Sequence, residues 1–267
     1  MQNFNFKQNY DIADLKKIVS LLRDPVDGCP WDKVQTHSTI RQNFIEETYE
    51  VCDAIDAQND EMLCEELGDV LLQVMLHTQF EAEKNSFDFD KVCDGICKKL
   101  IYRHPHIFSD TKVNGTTEVL KNWDKLKEKE KSLLTASDNL NAVPNALPAL
   151  MKSKKLQKRA GEYGFKYDDV NAAFADLDSE IAELKQAIVD KKGEKGEIGD
   201  VLFSVVNVAR MLNIDAEEAL SQCSDKFKAR VIGCEEIATQ NGKSLKDMSK
   251  KELDDAYKLV KLEKQDK

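Results

Sequence analysis

Proline and glycine are scarce in this sequence, 5 and 11 among 267 residues. Both interrupt regular backbone, so their scarcity argues against a chain of many tight turns, while abundant Glu, Lys, Leu and Ala favour helix. Sustained period-2 alternation is missing, which argues against a sheet protein. No apolar run approaches membrane-spanning length. The opening "MQNFNFKQNY" lacks the apolar core of an export signal, so the expectation is a cytoplasmic protein with no membrane partner. Positive charge is in deficit: 39 Lys and Arg stand against 49 Asp and Glu, a net charge of −10. That argues against a nucleic-acid partner held by phosphate neutralisation, but permits a small anion bound through metal ions. The 7 cysteines are odd in number and form no C-x-x-C pair, so they read as reduced packing thiols. Several catalytic signatures are also missing. Ile237 stands where a phosphate-binding loop ending in the Gly-Lys-Ser of 242–244 needs its first glycine. No histidine lies three residues after a glutamate, as a di-iron carboxylate bundle needs, and no G-x-S-x-G occurs.

What is present is helical spacing nearly everywhere. "ELGDVLLQVMLHTQF" places Leu67, Val70, Leu71, Val74 and Met75 on one stripe, and "EIGDVLFSVVNVARML" does the same with Ile198, Val201, Leu202, Val205 and Val208. The composition breaks once, at 132–150, where Pro144 and Pro148 follow the charged run "KLKEKEK". A linker is expected there, dividing a first domain over 1–131 from a second over 151–267. The two halves resemble each other. Glu47-x-x-Glu50 matches Glu180-x-x-Glu183 at an offset of 133, and "ELGDVL" from Glu66 matches "EIGDVL" from Glu197 at 131. Asp88 and the "KLIYR" of 99–103 match Asp215 and the "KFKAR" of 226–230 at 127. Offsets that change only between helical segments are the mark of a duplicated unit whose loops have drifted.

The acids within that unit form a pattern. Residues i and i+3 share a helix face, so Glu47 with Glu50 and Glu66 with Asp69 each point together. About one helix end and a turn separate the two pairs, so antiparallel packing would gather four carboxylates, and Glu180, Glu183, Glu197 and Asp200 can do the same. Two carboxylates ~5 Å apart at an effective dielectric near 20 repel by ~3 kcal/mol. Their helical neighbours are mainly apolar or acidic, so a hard divalent cation such as Mg²⁺ is the better neutralising partner. Gly68 and Gly199 sit between the acids of the second pair in each half. A mid-helix glycine costs ~1 kcal/mol against alanine, which predicts a close helix approach there.

These segments together resemble the MazG family of nucleoside triphosphate pyrophosphohydrolases in its two-domain form. The motifs that carry the resemblance are "GCPWDKVQTH" at 28–37, "EETYEVCDAI", "EELGDVLLQV", "RHPHIF" at 103–108, "ALPALMKSKKLQKRAGEYGF" at 146–165 and "GEIGDVLFSVVNVAR". The resemblance implies an all-α fold of two tandem helical-bundle domains, a homodimer, Mg²⁺ (with Mn²⁺ as a substitute), and hydrolysis of nucleoside triphosphates to monophosphate and pyrophosphate. Carried over by residue, the first-half motif is Glu46, Glu47, Glu50, Glu66 and Asp69, of which Glu47, Glu50, Glu66 and Asp69 are the expected metal ligands. The second is Glu180, Glu183, Glu197 and Asp200, with Ser179 where a leading glutamate is expected and the glycine-rich, basic "KKGEKGE" before Glu197. It also points to the second domain as the catalytic one, with that second set as its catalytic residues. An alternative of another class is a regulatory helical protein whose acids bind metal or nucleotide without turnover.

Four further residues are candidates for substrate binding. Lys226 and Arg230, at i and i+4, can take phosphates, and their counterparts Lys99 and Arg103 repeat the spacing. Tyr257 falls where the family keeps an aromatic that can stack on a base. Lys127, four after Trp123, is the weakest phosphate candidate. Trp31 is expected as a core anchor near the first site, and His104 and His106 around Pro105 as a structural turn.

Overall fold

The computed structural model describes residues 4–130 and 135–263. Helix is the regular structure throughout, and no strand occurs among the described residues. The chain divides into two compact units, Met1–Lys127 and Glu128–Lys267. The first contains α1 (Ile12–Leu22), α2 (Arg41–Asp56), α3 (Asp60–Glu83), α4 (Phe89–Arg103) and α5 (Pro105–Phe108), followed by α6 (Thr116–Glu130). The second contains α7 (Ala136–Asn141), α8 (Ala149–Glu162), α9 (Val170–Asp190), α10 (Glu194–Met211), α11 (Ala216–Gln240) and α12 (Lys250–Glu263). Helix α7 falls within 132–150, and Asn139 and Val143 there are buried.

Each unit is organised around a helical hairpin, α2–α3 in the first and α9–α10 in the second, with a long helix following each. The capping chemistry repeats with the sequence. Asp88 is the N-cap of α4, its side chain accepting from Lys91 N at 2.8 Å. Asp215 is the N-cap of α11, accepting from Glu217 N at 3.0 Å and Glu218 N at 3.2 Å. The matched aspartates thus satisfy the orphan amides that begin each third helix. Both hairpin turns use left-handed backbone, at Gln58 in the first and at Lys191 and Gly193 in the second. Gly193 is the N-cap of α10 with φ of 87°, which accounts for one glycine of "KKGEKGE" on conformational grounds.

In the first unit Val19, Ile40, Met75, Leu76 and Phe80 form a buried cluster, with Leu15, Leu71, Leu72 and Phe89 packed on it. Arg23 lies over the Phe80 ring, 4.1 Å from its centroid, and pairs with Glu83 through Nε at 2.6 Å and Nη2 at 2.7 Å. Its Nη1 donates to the carbonyls of Asp32 and Gln35. One guanidinium therefore ties the 32–35 turn to α3, using the forked donor geometry that lysine lacks. In the second unit Cys234, Ala256 and Val260 join α11 to α12. A Cβ on Gly233 would lie 2.8 Å from Val260 Cγ1, so here a glycine does permit close helix approach.

Three expectations are corrected. A Cβ at Gly68 or Gly199 would meet nothing within 4 Å, so neither glycine serves helix approach among the described residues. Trp31 is exposed and anchors no core. The two apolar stripes are buried only toward their ends: Met75 and Val208 are inside, whereas Leu67, Ile198, Leu202 and Val205 face outward. The seven cysteines are unpaired, and four of them are exposed.

Candidate metal centres

Side-chain oxygens of Glu47 on α2 and of Glu66 and Asp69 on α3 all lie within 4.8 Å of one another. In the second unit Glu180 and Glu183 on α9 and Glu197 on α10 do the same. Each group draws donors from both arms of a helical hairpin. The i, i+3 spacing aligns acids on one arm, and antiparallel packing brings up the other. The charge of Glu50 bears on both Glu47 and Glu66, so it borders the first group. Asp200 borders the second through its charge on Glu180. The eight acids read as ligands are therefore gathered, four to a unit, with the tight trio drawn from different members: Asp69 replaces Glu50 in one, and Glu183 replaces Asp200 in the other.

The electrostatics show what such gathering costs. The Glu47 carboxyl is pushed above the ordinary range by partial burial first, then by its hydrogen bond to Glu50 and by the charges of Asp69, Glu50 and Glu66. Glu66 is raised by burial and by Glu50, Glu65 and Asp69. Glu180 is raised by burial and by Glu183, Asp200, Asp176 and Glu197. Hard oxygen donors from several carboxylates, each destabilised by the others, are the donor chemistry that Mg²⁺ or Mn²⁺ takes. The residues present fit such an ion.

Asp176, one turn before Glu180, joins the second group although sequence reading passed it over. It accepts from Ser204 Oγ at 2.8 Å, and after burial it is a cause of the Tyr167 hydroxyl being pushed up to about 12. Its i−4 spacing from Glu180 was the available signal. In the first unit His37 lies between His77 and Glu81, with Nδ1 2.7 Å from His77 Nδ1 and Nε2 2.8 Å from Glu81 Oε1. This contact joins the "QTH" segment to α3, a link between distant stretches that helical spacing does not reveal.

Of the substrate-binding candidates, Lys226 and Arg230 both lie on α11 and Tyr257 on α12. Arg230 Nη1 donates to Tyr257 Oη at 3.4 Å, and its guanidinium lies 5.7 Å from that ring's centroid. The Lys127 side chain lies outside the described residues. Arg103, the counterpart of Arg230, is buried over Trp123, 5.5 Å from its centroid. His104 caps α4 with Nδ1 2.7 Å from Leu100 O and Pro105 opens α5, a structural turn as read from the sequence.

The pattern of the MazG nucleotide pyrophosphohydrolase domain matches the chain twice, over 35–108 and 162–232, so that each match contains one acid group. The Escherichia coli (strain K12) nucleoside triphosphate pyrophosphohydrolase is 38% identical over 94% of this chain and 97% of its own length. The Thermotoga maritima nucleoside triphosphate pyrophosphohydrolase/pyrophosphatase MazG is 37% identical over 93% of this chain and 94% of its own. The uncharacterized protein YabN of Bacillus subtilis is 42% identical over 94% of this chain, which spans 52% of that longer protein. Two family domains in tandem and similarity along nearly the full length of these relatives place the chain in the MazG nucleotide pyrophosphohydrolase family.

Proposed function

We propose that this protein is a nucleoside triphosphate pyrophosphohydrolase, dependent on Mg²⁺ or on Mn²⁺ in its place, that releases pyrophosphate and a nucleoside monophosphate. The observation that carries the reading is the trio of carboxylate oxygens within 4.8 Å in each helical hairpin. Glu180, Glu183, Glu197 and Asp200 would hold the catalytic ion, and Glu47, Glu50, Glu66 and Asp69 would hold one in the first unit. The bound ion supplies charge neutralisation along the phosphate chain and acidifies coordinated water. One carboxylate of the cluster orients the attacking water and accepts its proton; oxygen bonds to phosphorus as the phosphoanhydride bond breaks toward pyrophosphate. Lys226 and Arg230 bind phosphate, with Tyr257 and Lys127 completing the substrate set.

A homodimer fits the outward-facing Leu67, Ile198, Leu202 and Val205 and the open faces of Gly68 and Gly199, which a second copy's helices would cover. No helix among the described residues is long and apolar enough to cross a membrane, consistent with a cytoplasmic site of action. The test is pyrophosphate release from ATP, GTP, CTP and UTP with Mg²⁺ and with chelator. Turnover that chelator abolishes is expected. Metal-dependent nucleotide binding without turnover would make the protein a regulatory binding module instead.

A further inference from the structure

The two arms of an acid-bearing hairpin must be held together against their own charge, and the second unit shows a device that does so. Along α9, Glu183, Glu180 and Asp176 follow one another at steps of three and four residues, and along α10 Glu197, Asp200 and Ser204 take the same steps. In antiparallel arms, equal steps keep opposite members of two such stripes facing each other. The last pair of the series is joined: Ser204 Oγ donates to Asp176 Oδ2 at 2.8 Å. Ser204 is only 4% exposed and Asp176 is half-buried. A carboxylate acceptor sheltered from water makes this one of the stronger kinds of side-chain hydrogen bond.

The acids therefore lie between two restraints. On one side is the covalent turn, with its left-handed Lys191 and Gly193. On the other is the Ser204–Asp176 bond, whose members lie four residues from Asp200 and Glu180, ~6 Å along each helix at 1.5 Å per residue. Carboxylates gathered within 4.8 Å repel and push the arms apart between these points. Asp176 is not one of the trio that meets at that distance, so its part is to hold the arms and not the ion. The first unit is built differently at the matching place. By the offsets of 133 and 131, Asp176 and Ser204 correspond to Asn43 and Gln73. Gln73 is 5% exposed, and its Oε1 is buried with no hydrogen-bond partner, so at this atom the first hairpin is not closed as the second is.

The geometry points to Asp176 and Ser204 as positioning residues for the reaction: their hydrogen bond fixes the register of α9 against α10, and so holds Glu180 and Glu183 opposite Asp200 and Glu197 at the spacing that a divalent ion needs. The inference rests on the pyrophosphohydrolase reading above. Mg²⁺ accepts oxygen ligands only near about 2.0–2.1 Å and in near-octahedral array, so slack between the arms degrades its site directly. A misplacement of ~1 Å at a reacting centre can cost ~10²-fold in rate.

The test uses the full chain with Mg²⁺ and all four triphosphates. Ser204→Ala and Asp176→Ala remove the bond, whereas Ser204→Thr keeps the hydroxyl and Asp176→Asn keeps an acceptor without the charge. Geometry is lost and not a contact to substrate, so kcat is expected to fall ~10-fold in the two alanine variants while KM stays within about 2-fold. The threonine and asparagine variants should retain most of the wild-type kcat. A second readout is Mn²⁺ affinity, from the electron paramagnetic resonance signal of the free ion, in a Glu47→Gln background that weakens the first cluster. Both alanine variants should raise that Kd several-fold, and Ser204→Thr should restore it. Asp176 is half-buried, so its alanine variant reports even if Ser204→Ala melts early. A lowered melting midpoint with kcat and Mn²⁺ affinity unchanged would make the bond structural only and overturn the proposal. So would an equal loss in Asp176→Asn and Asp176→Ala, which would make the charge decisive and not the bond. If wild type turns over no triphosphate, the pyrophosphohydrolase reading has failed, and the Mn²⁺ measurement alone still decides whether this bond positions the carboxylates.

Discussion

The two units make the same hairpin from related sequence, yet they differ at the seam beside the acids. At the offset of 131 that relates Glu66 to Glu197, Leu76 corresponds to Asn207 and Leu72 to Phe203. In the first unit Leu76 is buried against Val19, Ile40, Met75 and Phe80, and Leu72 packs on that cluster. In the second the same positions line a cavity. The acid groups differ as well. Glu197 falls in the first turn of α10, where the helix's positive end favours carboxylate, whereas Glu66 lies well inside α3. Arg103 is committed to the Trp123 ring, while Arg230 shares the Tyr257 hydroxyl in a half-buried setting. One duplicated hairpin can thus be closed at this seam by apolar packing or left with a cavity there, and the change needs only a few residues.

Stability offers the sharpest break in this comparison. Leu76→Ala deletes a side chain from a closed core and should cost ~2–5 kcal/mol. Asn207→Ala leaves partners unpaired but opens no apolar core, and should cost ~1–3 kcal/mol. Denaturant unfolding measures both, and an equal or reversed order would mean that the seams are equivalent.

Catalysis comes next. Asp200→Asn keeps shape and removes one charge from the second cluster; it should lower turnover ~10²-fold, about 2.7 kcal/mol of barrier. Asp69→Asn should cost much less. If Asp69→Asn abolishes turnover and Asp200→Asn does not, the first unit carries the chemistry.

Metal binding should treat the units more evenly, because both hold three donors within 4.8 Å. A cation at about ten times its Kd adds ~1.4 kcal/mol to the native state. Melting midpoints with Mg²⁺ should exceed those in EDTA, and Glu47→Gln or Glu180→Gln should each remove part of the gain. Loss confined to one variant would assign metal to one unit alone.

The smallest effect concerns acid. Glu81 in the first unit is held down to about 2, by Lys84 foremost and then His37. Glu252 in the second is likewise held to about 2, by Lys243 and the Ser249 amide. A depressed folded pKa contributes stability above the unfolded value of about 4.3 and loses it as pH falls toward 2. Both units should therefore weaken over the same window. Glu81→Gln and Glu252→Gln should each flatten the pH dependence of the melting midpoint slightly between pH 4 and 2, and a flattening seen in only one would separate the units.

Sequence by itself determined the helices, the tandem duplication and which acids share a helix face, because these follow from local rules. Apolar period, i, i+3 spacing and an aspartate before a helix are all read within a few residues, and Asp88 and Asp215 cap their helices accordingly. Tertiary structure decided what those rules leave free. Which part of an apolar stripe is buried depends on the helices that reach it, so Met75 is inside while Leu67 and Leu202 are not. Gly68 and Gly199 looked like contact points, yet the glycine pressed against a neighbouring helix is Gly233. Arg230 meeting Tyr257, His37 meeting His77 and Gln157 reaching the Phe203 carbonyl each join residues more than 25 positions apart. Such contacts arise only when separate helices pack, so the place where the chain leaves a cavity beside its acids could be found only in three dimensions.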